Sequence, residues 1–540
     1  MNLPATIANS LWSATNLPSY VRFRQALQRP EAAQRRLLKA YLELNAQTTF
    51  GRAHDFGSLY SYDDFSKRVP LTVYEDLEPW IERIKRGESN LLTSEPVTRL
   101  VPTSGSSGAR KLIPFTKGLQ REFNAAIGPW LIDLLGQSPG IGGGPAYWSI
   151  TPVMGEADRE GSAVPIGFDA DTAYLGGTRQ RLASAVMAVP DALRFIKDIS
   201  VFRYVTLLCL LRQRDLRLVS VWHPSFLSLL LTTLSANWQE LLADIRNGRC
   251  QHNEALPPSV RAALKFRSLP QRAEELQAAD PLKPETIWPH LKLISCWHDG
   301  AAALAAAGLK KTFPNTILQP KGLLATEAFV TIPFEGLWPA AVQSHFFEFT
   351  NSAGAIQLVH ELCEGQIYEV VVTTAGGLWR YQLQDRVQVT GFSGRTPSLR
   401  FLSRTGNVSD LFGEKLSEAF VSDVIQGLME ILNLAPSFVL LAPDEDAAGH
   451  CYTLYIEGRL PGRLAELLDG ALRRNPHYAY SRDMGQLLPV RLFAITKDGC
   501  ETFVKHQMAG GTSLGNIKPA MFSREAGWSG LFAGAYVSTN

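Results

Sequence analysis

The sequence lacks a closely spaced pair of cysteines. Its 540 residues include six cysteines, which stand far apart and form no Cys-x-x-Cys motif. In a chain of this length, such spacing argues against both a disulfide framework and a zinc site. The cysteine content therefore favours a reducing compartment, and we expect a cytoplasmic protein.

The sequence also lacks an excess of charge of either sign. Lysine and arginine total 53 and aspartate and glutamate total 51, which gives a formal net charge of +2. A strong electrostatic field, which would indicate a nucleic acid or an anionic membrane as a partner, is therefore not expected.

Long apolar runs are missing as well. The most apolar stretches, Val201–Leu211 and Phe226–Leu234, are far shorter than the roughly 20 residues that a membrane-spanning helix needs. The segment Met1–Thr15 has no early basic residue and no cleavage signal, so it does not predict a signal peptide. We interpret both apolar stretches as buried helices of a large core.

Three common catalytic motifs are absent. The sequence contains no Gly-x-Ser-x-Gly elbow and no His-Glu-x-x-His zinc helix. A Walker A loop requires Gly-Lys-Ser/Thr, whereas Gly108 is followed by Ala109 and Arg110. His298 and Asp299 are neighbours in the sequence, which does not by itself make them a catalytic relay. The sequence therefore offers no covalent nucleophile.

What is present predicts an α/β fold. Leu291–Trp297 and Thr316–Leu323 have the composition of strands and flank a helical segment, Ala301–Phe313, which is a βαβ alternation. Strand-like runs at Ile367–Thr374, Leu378–Leu383 and 386–392 predict an antiparallel meander with glycine-bearing turns.

The pattern restarts after Arg404. A predicted helix at Gly413–Leu432, followed by further strands and helices, indicates a small α+β domain of roughly 130 residues, which is an ordinary domain size. We therefore predict a large N-terminal domain at residues 1–403, a hinge at 404–412 and a C-terminal domain at 413–540.

One polar loop has the composition of a phosphate-binding loop. Residues 103–111 read Thr-Ser-Gly-Ser-Ser-Gly-Ala-Arg-Lys and combine four hydroxyls, two glycines and two cations. Glycines allow backbone N–H groups to approach an anion, and hydroxyls and cations add donors and charge. A flexible polar loop is an equally good interpretation of this composition alone.

Two acidic residues are candidate ligands, although each has a simpler interpretation. Glu327 with Thr326 follows an apolar strand, where a carboxylate can hold Mg²⁺ on a nucleotide phosphate or simply begin a helix. Asp385 is predicted in a turn between strands, where it can bind ribose hydroxyls or serve only as a turn residue.

Three basic residues are weaker candidates. Arg404 and Lys415 lie where the pattern changes, near the predicted hinge, and Lys518 lies in a glycine-rich loop at 510–519. Surface arginine and lysine are ordinarily solvated, so none of the three carries a function by itself.

The order of these segments resembles a known family. The runs TSGSSGARKLIP at Thr103–Pro114, ATEAF at Ala325–Phe329 and GTSLGNIKP at Gly511–Pro519 are similar to motifs of the Gretchen Hagen family of auxin-responsive acyl-acid amido synthetases. So is the long run at Tyr368–Phe392. The resemblance begins at ANSLW, Ala8–Trp12, and covers nearly the whole chain, which looks like a bacterial-type member.

The resemblance implies both a fold and a reaction. The family belongs to the adenylate-forming, firefly-luciferase-like superfamily. Its fold has a large N-terminal adenylate-forming domain, with β-sheets or a β-barrel flanked by helices, and a small mobile α+β C-terminal domain. The implied enzyme uses ATP and Mg²⁺ to adenylate a small carboxylic acid, then transfers the acyl group to an amine, an amino acid. A monomer without nucleic-acid or membrane partners is favoured.

The resemblance also implies residue roles. The ATP phosphates would be held by the loop residues Thr103, Ser104, Gly105, Ser106, Ser107, Gly108 and Lys111. The remaining roles are the adenylate phosphate for Thr326, Mg²⁺ for Glu327, the ribose for Asp385 and Arg404, and the phosphate or carboxylate for Lys415 and Lys518. Two departures stand out: Gln384 replaces a glycine before the ribose aspartate, and Ala325-Thr326-Glu327 replaces Ser-Ser-Glu.

Two alternatives remain open at this point. An acyl-CoA synthetase would share the adenylation step and use a thiol acceptor, and a regulatory protein would bind nucleotide or acid without turnover. The acid itself is not identified by the sequence. Trp130, Tyr147, Trp148 and Trp222 either line an apolar pocket or belong to the core.

Overall fold

The computed structural model divides the chain into two compact units. It describes residues 2–103, 111–138, 140–150, 162–167, 177–405, 408–446, 449–510, 517 and 519–537. The first unit comprises Met1–Trp222, Leu230–Cys296 and Phe313–Phe401, and the second comprises His223–Leu229, Trp297–Thr312 and Leu402–Asn540. The predicted domain boundaries and hinge stay predictions.

The helices of the described residues fall mainly in the first half of the chain. Their bounds are α1 Leu3–Gln28, α2 Pro30–Asn45, α3 Thr49–Ala53, α4 Tyr62–Arg68, α5 Tyr74–Lys85, α6 Lys117–Gln137, α7 Gly177–Val186, α8 Ile199–Leu211, α9 Pro224–Ala236, α10 Trp238–Asn247, α11 Pro258–Ala263, α12 Pro270–Gln277, α13 Pro284–Ile287, α14 Ala303–Thr312, α15 Glu418–Ile431, α16 Leu464–Leu472, α17 Pro476–Asp483 and α18 Gly499–Ala509.

The longest strands of the described residues lie in the second half of the chain. Their bounds are β1 Arg99–Thr103, β2 Lys111–Phe115, β3 Ala146–Trp148, β4 Leu218–Ser220, β5 Leu293–Cys296, β6 Ile317–Pro320, β7 Phe346–Asn351, β8 Ile356–Leu358, β9 Ile367–Thr373, β10 Tyr381–Ser393, β11 Thr396–Arg404, β12 Val408–Ser409, β13 Leu416–Ser417, β14 Phe438–Asp446, β15 Gly449–Glu457, β16 Arg491–Ile495 and β17 Gly534–Tyr536.

A four-stranded parallel sheet, in the order β3-β4-β5-β6, lies in the first unit. Because β5 and β6 are parallel and α14 separates them in sequence, the predicted βαβ alternation is confirmed. Strand β4 lies between Val201–Leu211 and Phe226–Leu234, the two apolar stretches predicted as buried helices, where the sequence predicts no strand. With only three residues in a leucine-rich region, β4 is too short to show the alternating pattern by which a strand is recognised.

The antiparallel sheet has the order β11-β10-β9-β7-β8. The predicted strands at 378–383 and 386–392 are a single strand, β10, whose pairing with β9 shifts register between Gln382 and Arg386. Asp385 therefore lies in a β-bulge within a strand, and its prediction in a turn between strands is wrong. A bulge inserts a residue without ending the pairing, which a sequence pattern reads as a break.

A buried ion pair fixes the start of β10. The Arg380 guanidinium donates to both carboxylate oxygens of Glu348 on β7, at 2.7–3.0 Å, and to the carbonyls of Ser66 and Val69 at 2.8 and 2.7 Å. Tyr62 donates to the same carboxylate at 2.8 Å. Arginine and glutamate are 3% and 1% exposed, so α4 is held to the sheet by fully satisfied charges.

The second unit contains a four-stranded sheet, β14-β15-β16-β17, and the short pair β12-β13. Its predicted first helix, 413–432, begins only at Glu418, with Ser417 as the N-cap. The buried Glu414 carboxylate instead accepts the N–H groups of Leu411 and Phe412, both at 2.8 Å, and Lys415 has φ +46°. The helix cannot include a residue in the left-handed region.

Two absences noted in the sequence have structural counterparts. All six cysteines are free thiols, and four of them are buried. Among the described helices, none combines the length and the hydropathy that crossing a bilayer requires.

Candidate functional site

The described ends of the serine- and glycine-rich loop face each other across a hairpin. Strands β1 and β2 pair antiparallel with Thr103 opposite Lys111. The Lys111 ammonium lies 5.4 Å from the ring centroid of Tyr74, whose hydroxyl accepts the N–H of Leu112 at 2.9 Å. The predicted ligands Ser104, Gly105, Ser106, Ser107 and Gly108 lie outside the described residues.

Thr326 and Glu327 are the two central residues of a tight turn. The N–H of Ala325 donates to the Ala328 carbonyl at 2.9 Å, and Leu324 bridges Phe329 on the following strand segment. Glu327 is thus neither at the end of β6, which stops at Pro320, nor at a helix N-terminus. The Glu327 residue is only 4% exposed.

A chain of buried hydrogen bonds supports this turn through Phe329. The N–H of Phe329 donates to His345 Nε2 at 3.1 Å, and His345 Nδ1 lies 3.1 Å from Glu122 Oε2. Because Nε2 accepts a backbone N–H, the imidazole is neutral with its proton on Nδ1, which donates to the carboxylate. Glu122 also accepts the Tyr41 hydroxyl and the N–H of Ala375 at 3.1 Å. Burial and the Glu122 charge raise the pKa of Tyr41 well above its ordinary value, so the phenol stays a donor.

The same buried hydrogen bonds also reach a second turn, which contains Ala375. Ala375 lies in the glycine-bearing turn after β9, and its carbonyl accepts the hydroxyl of Thr116, the N-cap of α6, at 3.2 Å. Phe123 on α6 packs edge-on against Phe329, with ring centroids 5.0 Å apart, in a small cluster with Val101 of β1. Helix α6 therefore links the base of the β1–β2 hairpin to both turns.

Asp385 is buried at the β10 bulge, with 4% of its surface exposed. The preceding Gln384 is exposed and has φ +61°, the left-handed conformation that glycine adopts most readily. A glycine would adopt this conformation without strain, whereas Gln384 adopts it at the cost of strain on a residue with a Cβ.

Two of the three basic candidates lie in the second unit, and the third lies outside the described residues. Arg404 ends β11 and belongs to the second unit, as does the exposed Lys415, whose carbonyl accepts Asn475 Nδ2 at 3.2 Å. Lys518 lies outside the described residues. The structure thus brings together Thr103 with Lys111, and Thr326 with Glu327.

Sequence reasoning missed Glu122, His345 and Tyr41. A signal for Glu122 was present: it occupies the same helical face as Leu119, Phe123 and Ala126, all of which are buried. A carboxylate on the apolar face of a helix needs partners, because burying an unpaired charge is expensive. Its partners, however, are distant in sequence.

We expect Glu122→Gln to destabilise the first unit by about 2–4 kcal/mol, because the amide cannot accept all three donors that the carboxylate satisfies. The midpoint of urea unfolding measures the change. Glu43→Gln is the matched control, because Glu43 forms only an exposed pair with Lys39, and we expect a change below about 0.5 kcal/mol. Equal midpoints for the two variants would contradict the role assigned to Glu122.

We expect Gln384→Gly to raise the free energy of unfolding by about 1 kcal/mol, because glycine removes the left-handed strain. Gln382→Gly, two residues earlier in regular pairing with Val371, should lower it by about 0.5–1 kcal/mol. Urea unfolding of both variants tests the pair, and a lower midpoint for Gln384→Gly than for the native chain would refute the strain.

Three family models match successive parts of the chain. They are the GH3 family N-terminal domain at residues 20–318, the GH3 family central domain at 339–404 and the GH3 family C-terminal domain at 421–526.

Curated relatives match at low identity over most of the chain. The probable indole-3-acetic acid-amido synthetase GH3.12 of Oryza sativa subsp. japonica is 25% identical, and the match covers 90% of each chain. The indole-3-acetic acid-amido synthetase GH3.15 of Arabidopsis thaliana is 28% identical, over 71% of this chain and 69% of the relative.

A solved structure confirms the predicted fold class. The AtGH3.15 acyl acid amido synthetase in complex with 2,4-DB superimposes with a TM-score of 0.84, at 20% identity and with 95% of each chain covered. The N-terminal family model alone matches more than half of this chain, and the central and C-terminal models follow it in order. The predicted family is thereby confirmed: this chain belongs to the GH3 family.

Proposed function

We propose that this chain is an ATP-dependent ligase that activates a carboxylic acid as an acyl-adenylate and transfers the acyl group to the amine of an amino acid. The observation that carries the proposal is the ordered match of all three GH3 domain models. The predicted enzyme class, an acid–amino acid ligase, agrees with the names of the curated relatives.

Within the first unit, three features support the proposal of a nucleotide site: the β1–β2 hairpin, the turn at Thr326 and Glu327, and the bulge at Asp385. The ATP phosphates would be bound by Thr103, Lys111 and the loop between them, because the β1–β2 pairing places Thr103 opposite Lys111 at the two ends of that loop. Thr326 would donate to the adenylate phosphate, and the buried Asp385 would accept the ribose hydroxyls.

Glu327 is suited to be a ligand of Mg²⁺. Mg²⁺ prefers carboxylate and phosphate oxygens, and it is commonly held by one or two carboxylates together with substrate phosphates. Among the described residues, no group of three or more acidic, histidine or cysteine side chains can hold a metal. Glu327 with the nucleotide's own phosphate oxygens would be such an arrangement, with one carboxylate from the protein. The bound ion would neutralise charge that develops on the phosphates.

The first half-reaction joins the acid to the nucleotide. An oxygen of the acid attacks the α-phosphorus of ATP, a new P–O bond forms and pyrophosphate leaves with the electrons of the broken bond. The protein's part is to align the two reactants and to stabilise the growing phosphate charge. No enzyme nucleophile is needed, in agreement with the sequence.

The second half-reaction makes the amide. A neutral amine attacks the acyl carbon, the amine proton is lost and AMP leaves. Adenylation prepares this step because it removes the carboxylate charge that repels a nucleophile. In the proposal, Lys415 and Lys518 come from the second unit onto the phosphate or carboxylate, Arg404 contacts the ribose, and the hinge at 404–412 permits the second unit to reorient between the half-reactions.

The two alternatives differ from the proposal in measurable ways. An acyl-CoA synthetase would release AMP only with a thiol acceptor. A regulatory binding protein would bind ATP and acid without releasing pyrophosphate.

We expect acid-dependent pyrophosphate release when the purified chain is incubated with Mg-ATP, pools of aromatic and aliphatic acids, and hydroxylamine. Hydroxylamine traps the activated acyl group, so the hydroxamate's mass names the acid. Glu327→Gln, which keeps the size of the side chain, should reduce the rate about 100-fold or more, because it removes one charge that acts on the phosphates. ATP binding without release from any pool would favour the regulatory alternative.

We expect Lys518→Ala to slow acyl-adenylate formation more than it weakens ATP binding, because its charge acts on the phosphates as they react. Lys505→Ala is the control, since that exposed lysine on α18 pairs only with Glu501 at 3.2 Å. Pyrophosphate exchange and equilibrium ATP binding measure the two effects. Equal losses in both would contradict a role for Lys518 in the reaction.

A further inference from the structure

Polar side chains line the carboxyl edge of the parallel sheet. Ser220 ends β4, Ser295 pairs with it on β5, and Gln319 pairs with Ser295 on β6. Lys321 follows directly after β6. In open α/β sheets, ligands bind beyond the carboxyl ends of the strands. This edge is therefore a place where the side chains that point outward can meet a substrate.

Lys321 is held between two indoles and a hydroxyl. Its ammonium donates to Ser220 Oγ at 2.6 Å and lies 5.2 Å from the ring centroid of Trp222 and 6.0 Å from that of Trp130. Trp130 is fixed in turn, because its Nε1 donates to Gln319 Oε1 at 2.9 Å. Both tryptophans are only partly buried, so their remaining surface faces neither the core nor the lysine.

Within the described part of the chain, Lys321 has no carboxylate partner. Its ammonium lies near a hydroxyl, two aromatic rings and the Cys296 thiol. Burial lowers the pKa of Lys321 to about 8, whereas burial raises the pKa of the Cys296 thiol to about 12, so the thiol supplies no negative charge near neutral pH. Buried charges in proteins are ordinarily paired, and cation–π contacts replace only part of that pairing.

The lysine is tied to the candidate site by a short, fixed segment. Four residues lie between Lys321 and Thr326, which makes five Cα–Cα steps, so the two Cα atoms lie within about 18 Å of each other even in the most extended case. The segment is constrained, because the N–H of Leu323 donates to Thr331 Oγ1 at 2.8 Å and Gly322 adopts φ +78° against that hydroxyl. This length is an upper limit, and the left-handed Gly322 brings the two residues closer together than a fully extended segment would.

We propose that Lys321, with Ser220 and the faces of Trp130 and Trp222, binds a second anionic group of the acyl substrate, which is therefore an acid with two carboxylates or an equivalent anion. The inference rests on the proposed function and names its substrate class. The carboxylate that is activated loses its charge on adenylation, so a lysine bound to it would stabilise the substrate more than the transition state. A spectator anion keeps its charge throughout, and the indole faces supply apolar walls for the carbon skeleton.

The test is a comparison of matched acids by tryptophan fluorescence, without ATP. Terephthalate is compared with benzoate, and adipate with hexanoate, in the full-length chain. We expect the Kd of each diacid to be at least about tenfold lower than that of its monoacid, and Lys321→Met to bring the two within about twofold. Lys39→Met, which removes a lysine on the surface of α2, should keep the full preference.

A second measurement separates this proposal from the proposed function. Pyrophosphate exchange without an amine should show a raised KM for the diacid in Lys321→Met, with kcat for the monoacid retained. Charge-selective binding without any exchange would uphold the anion site and overturn the ligase. Equal binding of diacid and monoacid by the native chain would overturn the anion site. In amide formation with an amino acid, a variant effect confined to the KM of that amino acid would also overturn it, because the lysine would then serve the acceptor's carboxylate.

Thermal unfolding tests whether the Lys321→Met variant is folded. Because the pKa of Lys321 is lowered in the folded state, the lysine destabilises the fold below about pH 8, and this penalty fades as pH rises towards the ordinary lysine value of 10.5. Lys321→Met should therefore have a Tm equal to or above that of the native chain at pH 7, with a difference that shrinks across this window. A lower Tm for the variant would show that the lysine already has a structural partner.

Discussion

The candidate site depends on the hydrogen bonds that the buried carboxylate of Glu122 accepts. It accepts hydrogen bonds from Tyr41 of α2, from His345 just before β7 and from the backbone of Ala375 after β9. His345 passes the constraint on to Phe329, two residues after Glu327. One charge on α6 thus positions two turns that come from separate parts of the chain. Catalysis by alignment and electrostatics needs such fixed supports, because small displacements of the reacting groups are costly.

The Arg380–Glu348 pair plays the corresponding part at the start of β10. It ties α4 to β7, and Arg380 directly precedes β10, four residues before Gln384 in the bulge. The Glu122 carboxylate and the Arg380–Glu348 ion pair therefore define the positions of the turn that contains Glu327 and of the bulge that contains Asp385. Both are satisfied by several donors or acceptors at once, which is the condition under which a buried charge stabilises a particular arrangement rather than merely disturbing the core.

Local patterns of sequence account for much of this fold, and non-local contacts account for what was missed. The βαβ alternation, the helix after Thr116 and the glycine turn at Ala375 follow from periodicity, capping and turn chemistry, each of which is contained within a few residues. The bulge at Asp385 and the late start of α15 depend on Gln384 and Lys415 in the left-handed region, which no propensity favours. The Glu122–His345 contact joins residues 223 positions apart, so the sequence alone offers only the anomaly of a carboxylate on an apolar face. The roles of the site residues came from family resemblance, and local geometry could not have supplied them.

The contrast between two cations in the first unit bears on substrate choice. Arg380 meets a bidentate carboxylate and two carbonyls, so its charge is fully used in holding the fold together. Lys321 meets one hydroxyl and two aromatic faces at the edge of the parallel sheet, and desolvation lowers its pKa. A fold gains little from a cation in that condition, since a methionine would fill the same space without the desolvation cost. The charge is useful only if something with the opposite charge arrives there, and a substrate that keeps one carboxylate through both half-reactions meets that requirement.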